Sequence, residues 1–263
     1  MSTRLFQVDA FTDQPFSGNP AAVCLLKEPF SDQWMQSLAA EMNLSETAFL
    51  LPEGEGWRLR WFTPRTEVDL CGHATLASAR VLFEIQPALR DQLIKFQTRS
   101  GLLKALWVDD RVELDFPVMP PEPIEVCPGV EAVLGVSVVQ GVRSGDYYLF
   151  EVESDQAVRG ARPDFLALSE SGMPEVIITA RSEDPAIDFV SRFFAPNLGI
   201  NEDPVTGSAH CLLAPYWAER MGKIGFCAYQ ASSRGGILYV ELAGERVHIS
   251  GSARIIFSAD LLI

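Results

Sequence analysis

Basic residues, histidines and patterned cysteines are all scarce in this chain of 263 residues. Lysine and arginine total 21 against 35 aspartates and glutamates, a formal net charge of -14. That excess of negative charge repels nucleic acid and anionic membrane surfaces at long range, so neither is expected as a partner. The cysteines Cys24, Cys71, Cys127, Cys211 and Cys227 are odd in number, with no C-x-x-C spacing and no ordered pairing with the three histidines. A disulfide framework and a structural zinc are therefore not expected. No apolar run reaches membrane-spanning length, and the first residues, MSTRLFQVDAF, lack the charged and apolar regions of a secretory signal. G-x-G-x-x-G, Walker A, H-E-x-x-H and G-x-S-x-G patterns are absent too, which removes nucleotide, phosphate-loop, zinc-protease and serine-hydrolase readings. The expectation left is a reduced, cytoplasmic enzyme or binding protein.

What is present is a composition that folds, with 48% hydrophobic and 21% charged residues, and a duplication. RWFTPRTEVDLCGHATL at 60–76 is echoed by RFFAPNLGINEDPVTGSAHCL at 192–212. Arg60 and Arg192 lie 132 positions apart, half the chain, which predicts two copies of one folding unit of about 130 residues each. The proline-rich PVMPPEPIEVCP at 117–128 reads as the linker. This divides the chain into domains at 1–117 and 118–263, with the pairing of the last strand, ARIIFSADLLI, open between them.

Short β-like runs dominate both halves: LFQVDAF, NPAAVCLL, TAFLLP, WRLRWFTP, LIKFQTR and RVELDFP, then VLGVSVVQGV, YYLFEVE, EVIITA, AIDFVSRFF, GILYVEL, RVHIS and ARIIFS. A helix is predicted from an N-cap at Ser31, with Trp34, Leu38 and Met42 on one face. Two more start at the repeated glycines, near His73 and near Ser208, and are apolar nearly all round. Such helices are buried, which predicts an α+β fold in which a curled, mostly antiparallel sheet wraps a central helix in each domain. Pro215 is expected to kink the second of them.

Gly72-His73 and Gly207-Ser208 each open a helix, where unpaired N–H groups and the helix dipole favour a carboxylate. Two such starts suggest a pair of anion sites facing across a cleft. Asp69 and Asp203 precede these glycines by three and four residues, which suits turn capping or histidine orientation alike. Glu46, in NLSETAFLLP, reads from spacing as an exposed carboxylate at a helix exit; inside an apolar cleft its pKa would rise and it would serve as a carbon base.

VDAFTDQPFSGNPAAV at 8–23, LSETAFL at 44–50, FTPRTEVDLCGHATLA at 62–77 and EDPVTGSAH at 202–210 together resemble the phenazine-biosynthesis PhzF-like family, in family order over nearly the whole chain. More distantly the chain resembles diaminopimelate epimerase and proline racemase, implying a diaminopimelate epimerase-like fold of two similar barrel-like domains, each around a central helix. The resemblance implies Glu46 as general base, His73 and Asp203 as further catalytic residues, and Asn19, Gly72, Gly207 and Ser208 as substrate contacts. It also implies a homodimer and, for the founding branch, a dihydro-hydroxyanthranilate-like substrate.

Epimerase relatives use two thiols, one before each repeated glycine. Here those positions hold Cys71 and Thr206. A hydroxyl is too weakly acidic to replace a thiolate base, so two-thiol racemisation is disfavoured, with Cys71 left as an assisting group or a small buried residue. The expected function is a metal- and cofactor-independent isomerase that moves a proton in a small carboxylate-bearing substrate bound between the domains. A racemase, epimerase or dehydratase of amino or hydroxy acids, or a catalytically silent binding protein, are the alternatives.

Overall fold

A computed structural model describes residues 3–262. The chain forms two compact units, one built from the segment up to Phe116 together with the segment from His248 onward, the other from Pro117–Val247. The second domain, expected over 118–263, thus ends at Val247, and the closing strand belongs to the first unit.

In chain order the first unit contains β1 (Arg4–Ala10), β2 (Asn19–Leu25), α1 (Asp32–Met42), β3 (Glu46–Glu53), β4 (Gly56–Phe62), β5 (Glu67–Val68), α2 (Gly72–Ile85), β6 (Ile94–Thr98), β7 (Gly101–Val108) and β8 (Arg111–Pro117). The second contains β9 (Glu122–Ile124), α3 (Val130–Leu134), β10 (Val138–Ser144), β11 (Tyr147–Val152), α4 (Asp155–Gly160), α5 (Phe165–Glu170), β12 (Glu175–Arg181), β13 (Phe189–Ala195), β14 (Ile200–Asp203), α6 (Ala209–Met221), β15 (Gly225–Gln230) and β16 (Gly236–Ala243). β17 (Arg246–Gly251) straddles the boundary, and β18 (Ala253–Asp260) completes the first unit.

Strand order in the first unit is β18-β1-β2-β3-β4-β6-β7-β8, antiparallel except at β2–β3 and β4–β6, with β5 attached to β4. In the second it is β9-β10-β11-β12-β13-β15-β16, antiparallel except at β11–β12 and β13–β15, with β14 attached to β13. The two orders match strand for strand from β18 to β7 and from β9 to β16, parallel pairs included. The stretch read as a linker does more than connect, because its Glu122–Ile124 pairs with β10 and occupies the place that β18 holds beside β1.

Each sheet curls around its helix. On α2 every residue from His73 to Phe83 except Arg80 is buried, and on α6 Ala209–Ala214, Tyr216 and Trp217 are buried. α6 runs through Pro215, which cannot donate to the Cys211 carbonyl four residues earlier. The Met119 N–H donates to that carbonyl instead, at 3.0 Å. The run VLGVSVVQGV is not all strand. Its first residues close α3 between left-handed Gly129 and Gly135, and β10 starts only at Val138. α4, α5, β7 and β15 carry no strong period in the sequence; α4 and α5 start at side-chain caps from Ser154 and Asp164.

Candidate active site

The duplicated arginines are structural clamps. Arg60 on β4 makes a two-pronged ion pair with Glu67 on β5, at 2.6 and 2.7 Å, and reaches Asp32 at 2.7 Å. Arg192 on β13 does the same with Glu202 on β14, at 2.7 and 2.9 Å, and its third nitrogen donates to the Ala161 carbonyl at 2.9 Å. Paired donors in a rigid fork fix a carboxylate in distance and angle. Each arginine therefore pins the strand that delivers the chain to a helix start, with Glu67 and Glu202 both five residues before the glycine.

This frame corrects one pairing suggested by spacing. Trp61 faces Val68 across β4–β5, and Phe193 faces Asp203 across β13–β14, so the counterpart of Asp203 is Val68. Asp69 is exposed and lies 3.7 Å from Arg99; it does not orient His73.

The first unit gathers Asn19, Glu46, Cys71 and His73. Gly18 precedes Asn19 in a left-handed conformation, and a Cβ there would sit 2.2 Å from the Ala10 carbonyl oxygen, so only glycine closes this turn. Asn19 is fully buried and accepts from the Ser45 hydroxyl at 3.5 Å. The parallel register of β2 and β3 sets Glu46 opposite Ala21. The small alanine leaves room for the carboxylate to reach α2, where Glu46 Oε2 stands 3.2 Å from His73 Nε2, close but without hydrogen-bond alignment. On the other side of the ring, His73 Nδ1 is 3.5 Å from Cys71 Sγ. Burial pushes the His73 pKa down to about 3, so the ring is neutral at physiological pH. A carboxylate beside Nε2 favours the tautomer protonated there, leaving Nδ1 to accept from the Cys71 thiol.

Cys71 occupies the N-cap of α2 without a side-chain cap, and its carbonyl accepts from Thr75 N–H at 3.1 Å and from the Thr75 hydroxyl at 2.6 Å. Glu46, Cys71 and His73 hold one oxygen, one sulfur and one nitrogen within 4.8 Å of each other. Zinc accepts such a donor set. The same atoms also form a line of protic groups.

The second unit gathers Asp203, Thr206, Gly207 and Ser208. The Thr206 hydroxyl donates to the Asp203 carboxylate. Buried Gln230, missed by sequence reasoning, locks this turn: its amide oxygen accepts from Thr206 N–H at 2.8 Å, and its amide nitrogen donates to the Asp203 carbonyl at 2.9 Å and to the Thr206 hydroxyl at 3.1 Å. Ser208 Oγ lies 2.9 Å from the Tyr147 hydroxyl. The backbone at Ser208 is already helical, and its side chain does not cap α6.

Register also supplies a counterpart for Glu46 itself. Phe49 faces Arg60 and Thr47 faces Phe62, while Ile178 faces Arg192 and Val176 faces Phe194. One residue before Thr47 is Glu46; one before Val176 is Glu175. The offset between counterparts grows from 129 at Glu46/Glu175 through 132 at Arg60/Arg192 to 135 at Gly72/Gly207. Insertions of this size hide the match from a fixed-offset comparison of the two halves.

Two matched α+β units, each with a helix inside a curled sheet and a polar cluster at the helix start, define the epimerase-like class of fold. The sequence pattern of the phenazine biosynthesis-like proteins matches residues 8–259, and the chain belongs to that family. It is 51% identical to an uncharacterized isomerase of Pseudomonas aeruginosa, with 99% of each chain covered. A PhzF-family phenazine biosynthesis protein of Enterococcus faecalis superimposes with a TM-score of 0.96 at 42% identity over the whole of both chains. A hydroxyproline epimerase of Agrobacterium vitis, solved with trans-4-hydroxy-L-proline, shares the fold alone, with a TM-score of 0.62 at 14% identity over 99% of this chain and 94% of that one. These relatives support an isomerase kind of activity.

Proposed function

We propose that the protein is an isomerase that moves a proton within a small carboxylate-bearing molecule by general acid–base catalysis, with no metal or organic cofactor. The observation that carries this reading is the approach of Glu46 Oε2 to the buried, neutral His73 at 3.2 Å. A neutral imidazole beside the carboxylate forms no ion pair with it, and so does not weaken it as a base. Glu46 takes a proton from a carbon acidified by a neighbouring unsaturated group. His73 holds the carboxylate in line, and Cys71, 3.5 Å from the other ring nitrogen, assists. Asn19 and the N–H groups at Gly72 orient the substrate, and the unpaired N–H groups of a helix start suit its carboxylate.

For the second unit we assign Gly207 and Ser208 to substrate contact, Asp203 to proton balance and Thr206 to holding Asp203 in place. Homodimer formation belongs to the same proposal and rests on family resemblance alone.

The test is incubation with small carboxylates in deuterated water, read by mass spectrometry and NMR. Deuterium uptake with a moved double bond is the expected result, whereas uptake with inversion at carbon would make the enzyme an epimerase. Glu46→Gln keeps the size of the side chain and removes its basicity. We expect exchange to drop by at least a hundredfold in this variant, and undiminished exchange would dismiss Glu46 as the base.

A further inference from the structure

Glu175 stands at the position in the second unit that Glu46 holds in the first, and like Glu46 it is half-buried. Its Oε2 is buried without a hydrogen-bond partner. The cross-strand neighbour that is Ala21 in the first unit is Tyr147 here. The tyrosine ring packs beside Phe193, with centroids 6.0 Å apart, and fills the space that the alanine leaves open. Its hydroxyl donates to Ser208 Oγ at 2.9 Å, and as the cross-strand neighbour of Glu175 it stands close enough to the carboxyl to act on its ionisation. Ser208 in turn is the counterpart of His73, each following its repeated glycine. In the first unit a carboxylate touches the helix-start residue directly; in the second a phenol bridges the two.

We propose that Glu175, Tyr147 and Ser208 form a proton relay, the second unit's equivalent of Glu46 and His73, which gives a proton to a ligand or takes one from it at Ser208 Oγ. The proposal rests on the assignment of Ser208 as a substrate contact. In the donating direction the Glu175 carboxyl proton passes to the Tyr147 oxygen, the Tyr147 proton passes to Ser208, and the Ser208 proton passes to a carbanion or enolate of the ligand. Glu175 ends as a carboxylate, both hydroxyls are restored and the ligand gains one proton. In the ionised state the Glu175 carboxylate accepts from Tyr147 and Tyr147 accepts from Ser208, so Ser208 presents only lone pairs.

Burial raises the Glu175 pKa, and the nearby charge of Asp146 adds to the rise while the hydrogen bond from Tyr147 opposes it. Burial likewise raises the Tyr147 pKa, keeping the phenol protonated. The titratable groups facing the relay are Asp146 and Tyr147 on the Glu175 side and Cys211 of α6 on the Tyr147 side. With Glu175 protonated, Ser208 is free to donate, and a carboxylate ligand binds better.

The experiment uses the whole protein labelled with [13Cζ]tyrosine, the Tyr147 signal being the one lost in Tyr147→Phe. We expect this signal to titrate with a midpoint above the ordinary glutamate range, to lose that step in Glu175→Gln, and to shift in Ser208→Ala while keeping the step. Absence of the step, or its survival in Glu175→Gln, would overturn the relay.

Benzoate is the ligand probe. Its affinity should rise about tenfold as Glu175 takes up a proton, and Tyr147→Phe and Glu175→Gln should each flatten that dependence. If both variants keep the wild-type pH profile, the relay does not reach the ligand and the proposal fails. If benzoate does not bind, or binds Ser208→Ala as well as wild type, the substrate role of Ser208 fails instead, while the tyrosine signal still decides the relay.

Discussion

A histidine buried without charge makes a protein acid-labile. Burial holds His73 at about 3 and His210 at about 4, the latter despite the hydrogen bond between its Nδ1 and the Thr206 carbonyl at 2.8 Å. The unfolded chain takes up these protons near pH 6.5, whereas the folded chain does not. The stability associated with the neutral rings is therefore complete above about pH 6.5 and falls as pH drops, by about 1.4 kcal/mol per pH unit for each histidine until the folded pKa is reached. Urea midpoints measured from pH 7 to pH 4.5 should show this fall. His210→Asn, which retains a donor for the Thr206 carbonyl, should remove about half of the histidine share; a variant with the wild-type slope would contradict the burial argument. None of this is legible in the sequence, where a histidine after Gly72 and another after Ala209 look alike. Spacing is equally silent about Glu46, which only the family motif singled out, because its site character comes from the 3.2 Å approach to α2, and that approach depends on the parallel register with Ala21.

The elements that position the site repeat more faithfully than the site itself. Arg60 and Arg192 stood out in the sequence as an echo without a purpose; the fold shows each fastening a short strand, β5 or β14, ahead of a helix. The two clamps differ in redundancy. Glu67 also pairs with Arg99 at 2.8 Å, whereas Glu202 relies on Arg192, whose side chain is only 10% exposed and also serves a backbone carbonyl. Breaking a buried pair by removing one partner costs about 3 to 5 kcal/mol. We expect Arg192→Gln to destabilise by about 3 kcal/mol and Arg60→Gln by clearly less, read from urea unfolding of the two variants side by side. Equal losses would mean that Arg99 gives Glu67 no support. Spacing did not reveal the counterpart of Asp203, because the second copy carries extra residues around the 3-10 turn at Pro196–Leu198, and β14 is too short to show a period.

At the scale of the molecule, the chain end decides which surface of the first unit is finished. β18 pairs with β1 from Arg4 opposite Asp260 to Ala10 opposite Ala253; Leu261 packs against the Leu5, Phe49 and Phe62 cluster, and its N–H donates to the Thr3 carbonyl at 2.9 Å. In the second unit the matching place beside β10 is filled locally by β9. The sequence could not choose between these partners for ARIIFSADLLI, since its alternating apolar residues suit any sheet edge. The consequence is a strong asymmetry in how the units tolerate truncation. A chain ending after Ser252 leaves the row of N–H and C=O groups on β1 unpaired, and an uncovered edge of that length invites pairing with another molecule. Hydrogen-exchange mass spectrometry on this truncated chain should show protection lost in β1, β2 and α2 but kept in β11 to β13 and α6, with concentration-dependent self-association in size-exclusion chromatography. Unchanged protection of β1 would show that β18 is an accessory strand. Equal loss in both units would show that they do not fold as separate cooperative bodies.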